Sequence, residues 1–93
     1  MKILITGAYG FLGKNLIARL KEYGDRFTVY SFDVDTPFED LVAYTRDCEF
    51  VFNFAAVHRP KENSEFEKVN HVFFDDLLGL LKGHNNCCPV LYT

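Results

Sequence analysis

The chain has 93 residues and a net charge of −3, with 48% hydrophobic and 16% aromatic residues. This length allows one domain at most, and the hydrophobic fraction is typical of a globular chain rather than a disordered one. The acidic balance and the lack of a Lys/Arg cluster argue against nucleic acid or an anionic membrane as the main partner.

Targeting and membrane signals are weak throughout the sequence. No apolar run approaches the length of a membrane span, and Met1-Lys2-Ile3 leads directly into a predicted strand rather than a signal peptide. We therefore expect a cytoplasmic protein that is not bound to a membrane.

The three cysteines, Cys48, Cys87 and Cys88, are odd in number, and adjacent cysteines rarely bridge each other. Reduced thiols are the simplest interpretation. The segment from His84 to Cys88 could be mistaken for half a metal site, but no second ligand pair follows at metal spacing, so we predict no metal.

The first twenty residues contain the strongest motif. A short apolar run, Ile3-Leu4-Ile5, predicts a strand buried on both faces, and apolar residues from Leu16 onward recur at helical spacing. Three glycines, Gly7, Gly10 and Gly13, lie between the strand and the helix, which is predicted from about Phe11 to Tyr23.

Each glycine has a mechanical role in such a turn. Gly7 permits a tight turn, Gly10 lets the backbone approach a pyrophosphate, and Gly13 lets the helix lie close to the strand. Phosphates would then bind free N–H groups at the positive end of the helix dipole. The motif predicts a dinucleotide site, and the alternative is a glycine-rich turn with a purely structural role.

The second predicted strand, Phe27 to Phe32, ends at Asp33, which lies 20 residues beyond Gly13. An acid at this position can accept hydrogen bonds from the adenosine ribose hydroxyls. Because a 2′-phosphate would meet the charges of Asp33 and Asp35, and no Lys or Arg lies between Phe27 and Leu41, NAD is favoured over NADP. The alternative is that Asp33 only opens a solvated loop.

The rest of the chain alternates helix and strand. Thr36-Pro37-Phe38-Glu39 predicts a capping box with a helix to about Arg46, and Glu49 to Phe54 predicts a third strand. A second capping box opens a helix from Ser64 to Lys82, and a fourth strand begins at Pro89. We predict an α/β partial Rossmann fold with a parallel sheet in the order 3-2-1-4 and flanking helices.

Several further residues are candidates at the end of the third strand and in the long helix. Ala55 and Ala56 suit close approach of a cofactor, or they simply fill a tight core. Arg59 presents a planar fork suited to a substrate phosphate, or it is an ordinary surface arginine, and His58 is more often incidental than an acid or base. Asn70 lies on an apolar helix face, where it either satisfies a backbone bend or orders water and a catalytic side chain.

These motifs together resemble the extended short-chain dehydrogenase/reductases, the NAD-dependent epimerase/dehydratase family. The run Ala55 to Pro60, followed by Glu65-Phe66, is most similar to the reductase domain of bacterial capsular polysaccharide synthesis enzymes. The resemblance implies that Gly7, Gly10 and Gly13 hold the pyrophosphate, with Asp33 on the ribose. It also implies that Asn70 supports the active site. The predicted cofactor contacts are Gly7, Tyr9, Gly10, Phe11, Leu12, Gly13, Asp33, Ala55 and Ala56.

One departure from the family concerns the tyrosine and lysine that move the proton. None of the five tyrosines is followed four residues later by a lysine, so we expect the catalytic half to lie outside residues 1–93. The prediction is therefore the N-terminal part of an NAD(P)-binding domain of a nucleotide-sugar reductase, epimerase or dehydratase of capsular or surface polysaccharide synthesis, with a homodimer as its assembly. A non-catalytic NAD(P)-sensing module is the alternative.

Overall fold

The computed structural model describes the backbone of residues 1–54 and 63–92, and the side chains of residues 1–54 and 73–92. Strands and helices alternate along the chain. The elements are β1 (Lys2–Thr6), α1 (Phe11–Lys21), a 3-10 turn (Gly24–Arg26), β2 (Thr28–Phe32), α2 (Phe38–Asp47), β3 (Phe50–Asn53), α3 (Asn63–Gly83) and β4 (Val90–Tyr92).

The four strands form one parallel sheet in the order β2-β1-β3-β4. In β1, Leu4 and Ile5 are fully buried although they point to opposite faces. A strand buried on both faces must be covered by helices on both sides of the sheet, which is typical of α/β folds. The α/β, partial Rossmann prediction is confirmed.

Two apolar clusters cover the two faces of the sheet. Ile3, Ile5 and Ala8 pack with Leu20 of α1 on one face. The other face packs residues of β1 and β3 against α2 and α3, namely Leu4, Leu41, Cys48, Val51, Leu77 and Leu81. Helix α1 therefore lies on the opposite face from α2 and α3.

The predicted strand order 3-2-1-4 is wrong, because β3 pairs with β1 and not with β2. A right-handed connection along the face opposite α1 must travel in the opposite direction across the sheet, so α2 carries the chain back over β1. Strand β2 is left at the edge, where Thr28 and Ser31 are exposed. These polar residues are the signal in the sequence that β2 has only one neighbour.

The ends of the first two helices differ from the prediction. Helix α1 ends at Lys21 rather than at Tyr23. The capping box predicted at Thr36 does not form: Pro37 is the N-cap of α2, and the Thr36 hydroxyl instead accepts a hydrogen bond from the Asp33 N–H at 3.0 Å. The Thr36 hydroxyl thus stabilises the turn that precedes α2 and does not cap the helix.

The long helix α3 is tied to α2 at its carboxyl end. Asn85 adopts the left-handed conformation, with φ of 56°, just beyond the helix. The Asn86 amide donates hydrogen bonds to the carbonyl oxygens of Thr45 and Cys48, at 3.0 and 2.9 Å. Because these carbonyls terminate α2, Asn86 supplies them with the donors that the helix cannot.

The apolar face predicted for α3 is confirmed over the residues whose side chains are described: Leu77 and Leu81 are buried, and Phe73 and Phe74 pack against the same cluster. Within the described ranges, no helix is long and apolar enough to cross a membrane.

Candidate functional site

The carboxyl ends of β1, β2 and β3 meet at one edge of the sheet. From β1 the chain winds outward to β2 on one side, and then returns past β1 to β3 on the other. The winding therefore reverses between β1 and β3, and ligands of α/β sheets bind in the crevice beyond such a reversal. The glycine turn follows β1 directly at this point, as predicted.

The glycine turn is shaped by two of its three glycines in different ways. Gly7 has φ of 71°, a conformation that side-chain-bearing residues rarely adopt, and its carbonyl accepts the Gly10 N–H at 3.1 Å. A Cβ at Gly13 would lie 2.5 Å from the Gly7 oxygen and 2.8 Å from the Ala8 Cα. Gly13 is therefore required for the close approach of α1 to the turn.

Gly10 has a different environment. A Cβ there would meet only the Gly7 oxygen, at the ordinary contact distance of 3.4 Å. The fold leaves room for a side chain at this exposed position, so packing within the chain does not explain the glycine. Close approach of a ligand to the backbone does explain it.

The amino end of α1 carries no charge or cap of its own. Its N-cap is Gly10, which has no side chain to accept the N–H groups of the first turn, and that turn contains no acidic residue. Helix α2, by contrast, has Glu39 and Asp40 in its first turn. The α1 terminus thus combines free N–H donors with an unneutralised helix dipole, an arrangement that suits an anion.

Asp33 lies directly against the glycine turn. Its carboxylate accepts the Tyr9 N–H and the Val34 N–H, each at 2.7 Å. A carboxylate has about four lone-pair positions, so both oxygens keep capacity for a further donor such as a hydroxyl. The turn and the acid, separated by 24 residues, are one hydrogen-bonded unit.

The backbone around Asp33 forms a compact turn that the sequence did not reveal. The Thr36 N–H donates to the Asp33 carbonyl at 2.9 Å, while the Thr36 hydroxyl accepts the Asp33 N–H. Thr36 therefore fixes the conformation from which the Asp33 carboxylate reaches Tyr9. Asp is favoured at the first position of a β-turn, a signal that here competed with the capping-box pattern.

Tyr9 is an exposed residue that links the turn to a second acid. A hydrogen bond to Asp35 is the main cause that raises the pKa of the Tyr9 hydroxyl above its usual value. Asp33 and Asp35 thus both flank Tyr9, and no basic side chain occurs between Phe27 and Leu41. A ligand group with extra negative charge would be repelled there.

A buried polar pair lies beneath the same edge. The Thr6 hydroxyl donates a hydrogen bond to the Asn53 side-chain oxygen, and both residues are almost completely buried. A main-chain hydrogen bond lies beside this pair: the Phe54 N–H donates to the Thr6 carbonyl at 3.0 Å. The Thr6–Asn53 pair was not predicted, although two polar residues ending two adjacent apolar strands are a signal for it.

Several predicted residues lie outside what the structure describes. Ala55, Ala56, His58 and Arg59 fall in residues 55–62, and Asn70 falls in the part of α3 whose backbone alone is described. Among the described residues, no three His, Cys, Asp or Glu side chains come together as a metal site would require.

Comparison with known proteins decides the family. The model of the NAD dependent epimerase/dehydratase family matches residues 3–86. This chain belongs to that family. The resemblance drawn from the glycine turn, Asp33 and the third strand is confirmed, and the match extends from within β1 to just beyond the end of α3.

Relatives within the family and its fold are similar over the whole chain. A reductase of Pseudomonas aeruginosa, UDP-2-acetamido-2,6-beta-L-arabino-hexul-4-ose reductase, is 36% identical over 93 residues, which are all of this chain and 25% of the reductase. The crystal structure of the capsular polysaccharide assembling protein CapF from Staphylococcus aureus is 32% identical, with a TM-score of 0.79, over 100% of this chain and 25% of that one.

A UDP-N-acetylglucosamine 4-epimerase from Bacillus cereus is 26% identical, with a TM-score of 0.68, over 91% of this chain and 36% of that one. The chain thus spans about a quarter of the length of the curated relative that it matches.

Proposed function

We propose that this chain binds the adenosine and pyrophosphate part of NAD within a nucleotide-sugar oxidoreductase or epimerase. The observation that carries the proposal is the hydrogen bond from the Tyr9 N–H to the Asp33 carboxylate. It joins the two motifs that bind dinucleotides, the glycine turn and the acid after the second strand, into one site at the reversal of the sheet.

The pyrophosphate would bind the backbone from Gly7 to Gly13. Free N–H groups of the first turn of α1 would donate to its oxygens, and the open Cβ position of Gly10 would let them approach. Phe11 and Leu12, which are 82% and 54% exposed, flank these donors and would limit the access of water to the bound phosphates. The driving force is charge-assisted hydrogen bonding at a helix dipole.

The ribose of the adenosine would bind Asp33. Its two hydroxyls are donors, and each carboxylate oxygen has a lone pair free after the bonds to Tyr9 and Val34. The preference for NAD over NADP belongs to this proposal: a 2′-phosphate would face Asp33 and Asp35, with no basic side chain near them in the sequence.

The reaction of the whole protein is also part of the proposal. The bound cofactor would supply or accept a hydride at a sugar carbon. The names of the Pseudomonas reductase and the Staphylococcus capsule protein support a nucleotide sugar as substrate and surface polysaccharide synthesis as its context. The similarity to the Bacillus epimerase supports epimerisation as a second candidate reaction.

The predicted roles of residues whose side chains are not described are carried forward as proposals. Ala55 and Ala56 would lie along the cofactor, Arg59 would bind a substrate phosphate, and Asn70 would support the active site. The cytoplasmic location and the homodimer stay predictions. A nucleotide-sensing module stays the alternative prediction.

Calorimetric titration of the chain with NADH tests the proposal, with Gly10→Val as the blocking variant and Gly79→Ala as its matched control. Gly79 is an exposed glycine of α3 at which a Cβ meets nothing within 4 Å. We expect NADH to bind to the wild type and to Gly79→Ala but not to Gly10→Val. Equal binding to all three proteins would overturn the assignment of the phosphate turn.

A further inference from the structure

Two cysteines that are far apart in the sequence lie side by side in the fold. The Sγ atoms of Cys48 and Cys88 are 3.8 Å apart, although the residues are separated by 40 positions. Cys48 is 2% exposed and Cys88 is half-buried. Both thiols are free, as is the exposed Cys87.

One residue, Asn86, holds the two cysteines together. Its amide donates to the Cys48 carbonyl at 2.9 Å, and its side-chain oxygen accepts the Cys88 N–H at 3.0 Å. Cys48 is also fixed at the end of α2, where its N–H donates to the Tyr44 carbonyl at 3.1 Å. The closeness of the thiols thus follows from main-chain anchoring and not from flexible side chains alone.

The distance between the two Sγ atoms is that of reduced thiols in contact, and it is short enough for a disulfide bond to form after a small movement. A disulfide bond is about 2.05 Å long, so the sulfurs must approach by less than 2 Å. Cys88 lies between α3 and β4, outside any helix or strand, so its side chain can turn toward Cys48 without breaking a ladder of the sheet.

We propose that Cys48 and Cys88 form an intramolecular disulfide when the chain meets a hydroperoxide. Cys88, the more accessible thiol, attacks the outer oxygen of the hydroperoxide, whose O–O bond breaks to give a sulfenic acid on Cys88 and to release an alcohol or water. The Cys48 sulfur then attacks the Cys88 sulfur. The S–S bond forms, and the sulfenic hydroxyl leaves with the Cys48 proton as water. Two thiols are oxidised and one peroxide is reduced.

The surroundings of the thiols make this reaction slow at neutral pH. Burial raises the pKa of the Cys48 thiol to about 12, and burial also raises the pKa of Cys88. Since the thiolate is the nucleophile, disulfide formation should accelerate as the pH rises above neutrality. Cys87 is more exposed and will react with alkylating reagents first, but it is not the partner of Cys48.

The bond would join elements at the amino ends of β3 and β4, since Cys48 precedes Phe50 and Cys88 precedes Val90. The glycine turn lies at the opposite, carboxyl end of the sheet. We therefore expect the disulfide to stabilise the fold by closing the loop that contains β3 and α3, without altering the dinucleotide site. The inference is independent of the proposed function.

The test uses two variants, each of which removes one of the two adjacent cysteines, Cys87 and Cys88, and keeps the other. Cys87→Ser retains the proposed pair, and Cys88→Ser retains Cys48 and Cys87. The wild type and both variants are treated at low concentration with hydrogen peroxide. Free thiols are then trapped with N-ethylmaleimide in denaturant, so that the buried Cys48 is reached, and the masses of the intact chain and of its unreduced peptides are measured. Circular dichroism checks that both variants keep the fold.

We expect Cys87→Ser to lose both thiols together, with the loss of two hydrogens from the intact monomer and a peptide linking residue 48 to residue 88. Its melting temperature should rise by about 10 °C or more and return on reduction. Cys88→Ser should keep an alkylatable Cys48. Linkage in Cys88→Ser at an equal rate, a linkage of Cys87 to Cys88 in the wild type, or only intermolecular dimers would overturn the proposal.

Discussion

Thr6 and Asn53 are register partners at the carboxyl ends of β1 and β3, and the Thr6 hydroxyl donates a hydrogen bond to the Asn53 side-chain oxygen. The pair is buried where the winding of the sheet reverses, directly below the glycine turn. A buried hydrogen-bonded pair in this place specifies the register of two strands whose ends support the candidate site.

Replacing Thr6 by valine should destabilise the fold. The change keeps the volume of the side chain but leaves the buried Asn53 oxygen without its donor, which costs about 1–3 kcal/mol. Urea unfolding of Thr6→Val, Asn53→Leu and the double variant measures the coupling. We expect the double variant to lose less stability than the sum of the two single ones. Strict additivity would mean that the hydrogen bond contributes nothing.

Gly13 and Gly10 should respond differently to the same substitution. Gly13→Ala places a Cβ 2.5 Å from a backbone oxygen, and we expect a loss of about 1–3 kcal/mol in unfolding free energy. Gly10→Ala meets only an ordinary contact and should fold with nearly wild-type stability while it binds NADH more weakly. Thermal melts combined with NADH titration separate the two effects. A Gly10→Ala protein that binds normally contradicts the phosphate role.

The carboxylate of Asp33 should set the choice between the two nicotinamide cofactors. Asp33→Asn removes the negative charge that faces the 2′ position, so the ratio of NADPH to NADH dissociation constants should fall by about tenfold. Asp35→Asn is the matched comparison, with a smaller effect expected because Asp35 contacts the Tyr9 side chain and not the turn backbone. An unchanged ratio in Asp33→Asn argues against the ribose assignment.

The salt bridge between Lys2 and Asp47, 2.7 Å long, makes part of the stability depend on pH. The hydrogen bond from Lys2 holds the pKa of Asp47 below its usual value. Because the folded pKa is depressed, this contribution is present above the ordinary carboxylate pKa of about 4 and is lost as the pH falls through the folded value.

Asp47→Asn should therefore narrow the difference in urea midpoint between pH 6 and pH 3, and only slightly because both partners are exposed. Asp76→Asn, which alters an exposed acid of α3, is the control and should keep the wild-type difference. If Asp47→Asn behaves like Asp76→Asn, the salt bridge does not contribute to acid sensitivity.

The local motifs of the chain could be predicted from the sequence, because each depends on neighbouring residues. Gly7 predicts a tight turn, and the structure has a positive φ there. Gly13 predicts a close approach of the helix to the turn, and the structure has that approach. The position of Asp33 after the second strand followed from its distance from Gly13. These features are fixed by backbone sterics within one strand–turn–helix unit.

The arrangement of the strands could not be predicted in the same way, because it depends on which face each helix covers. The predicted order placed the third strand beside β2, whereas α2 covers the face opposite α1 and so returns the chain past β1 to its other side. The roles of Thr36, Asn86 and the Cys48–Cys88 contact were missed for a related reason. Each joins residues whose proximity follows from the turn geometry or from packing of α2 against α3.

The most direct test of the central claim is to map NADH onto the chain by its backbone amide resonances. In a ¹⁵N-correlated spectrum we predict that NADH shifts the amides of residues 7–13 and 33–36, while those around Lys2 and Asp47 at the amino ends of the strands stay unchanged. Gly10→Val should abolish the shifts. Shifts confined to the amino ends of the sheet, or no shifts in a folded chain at millimolar NADH, would contradict the account.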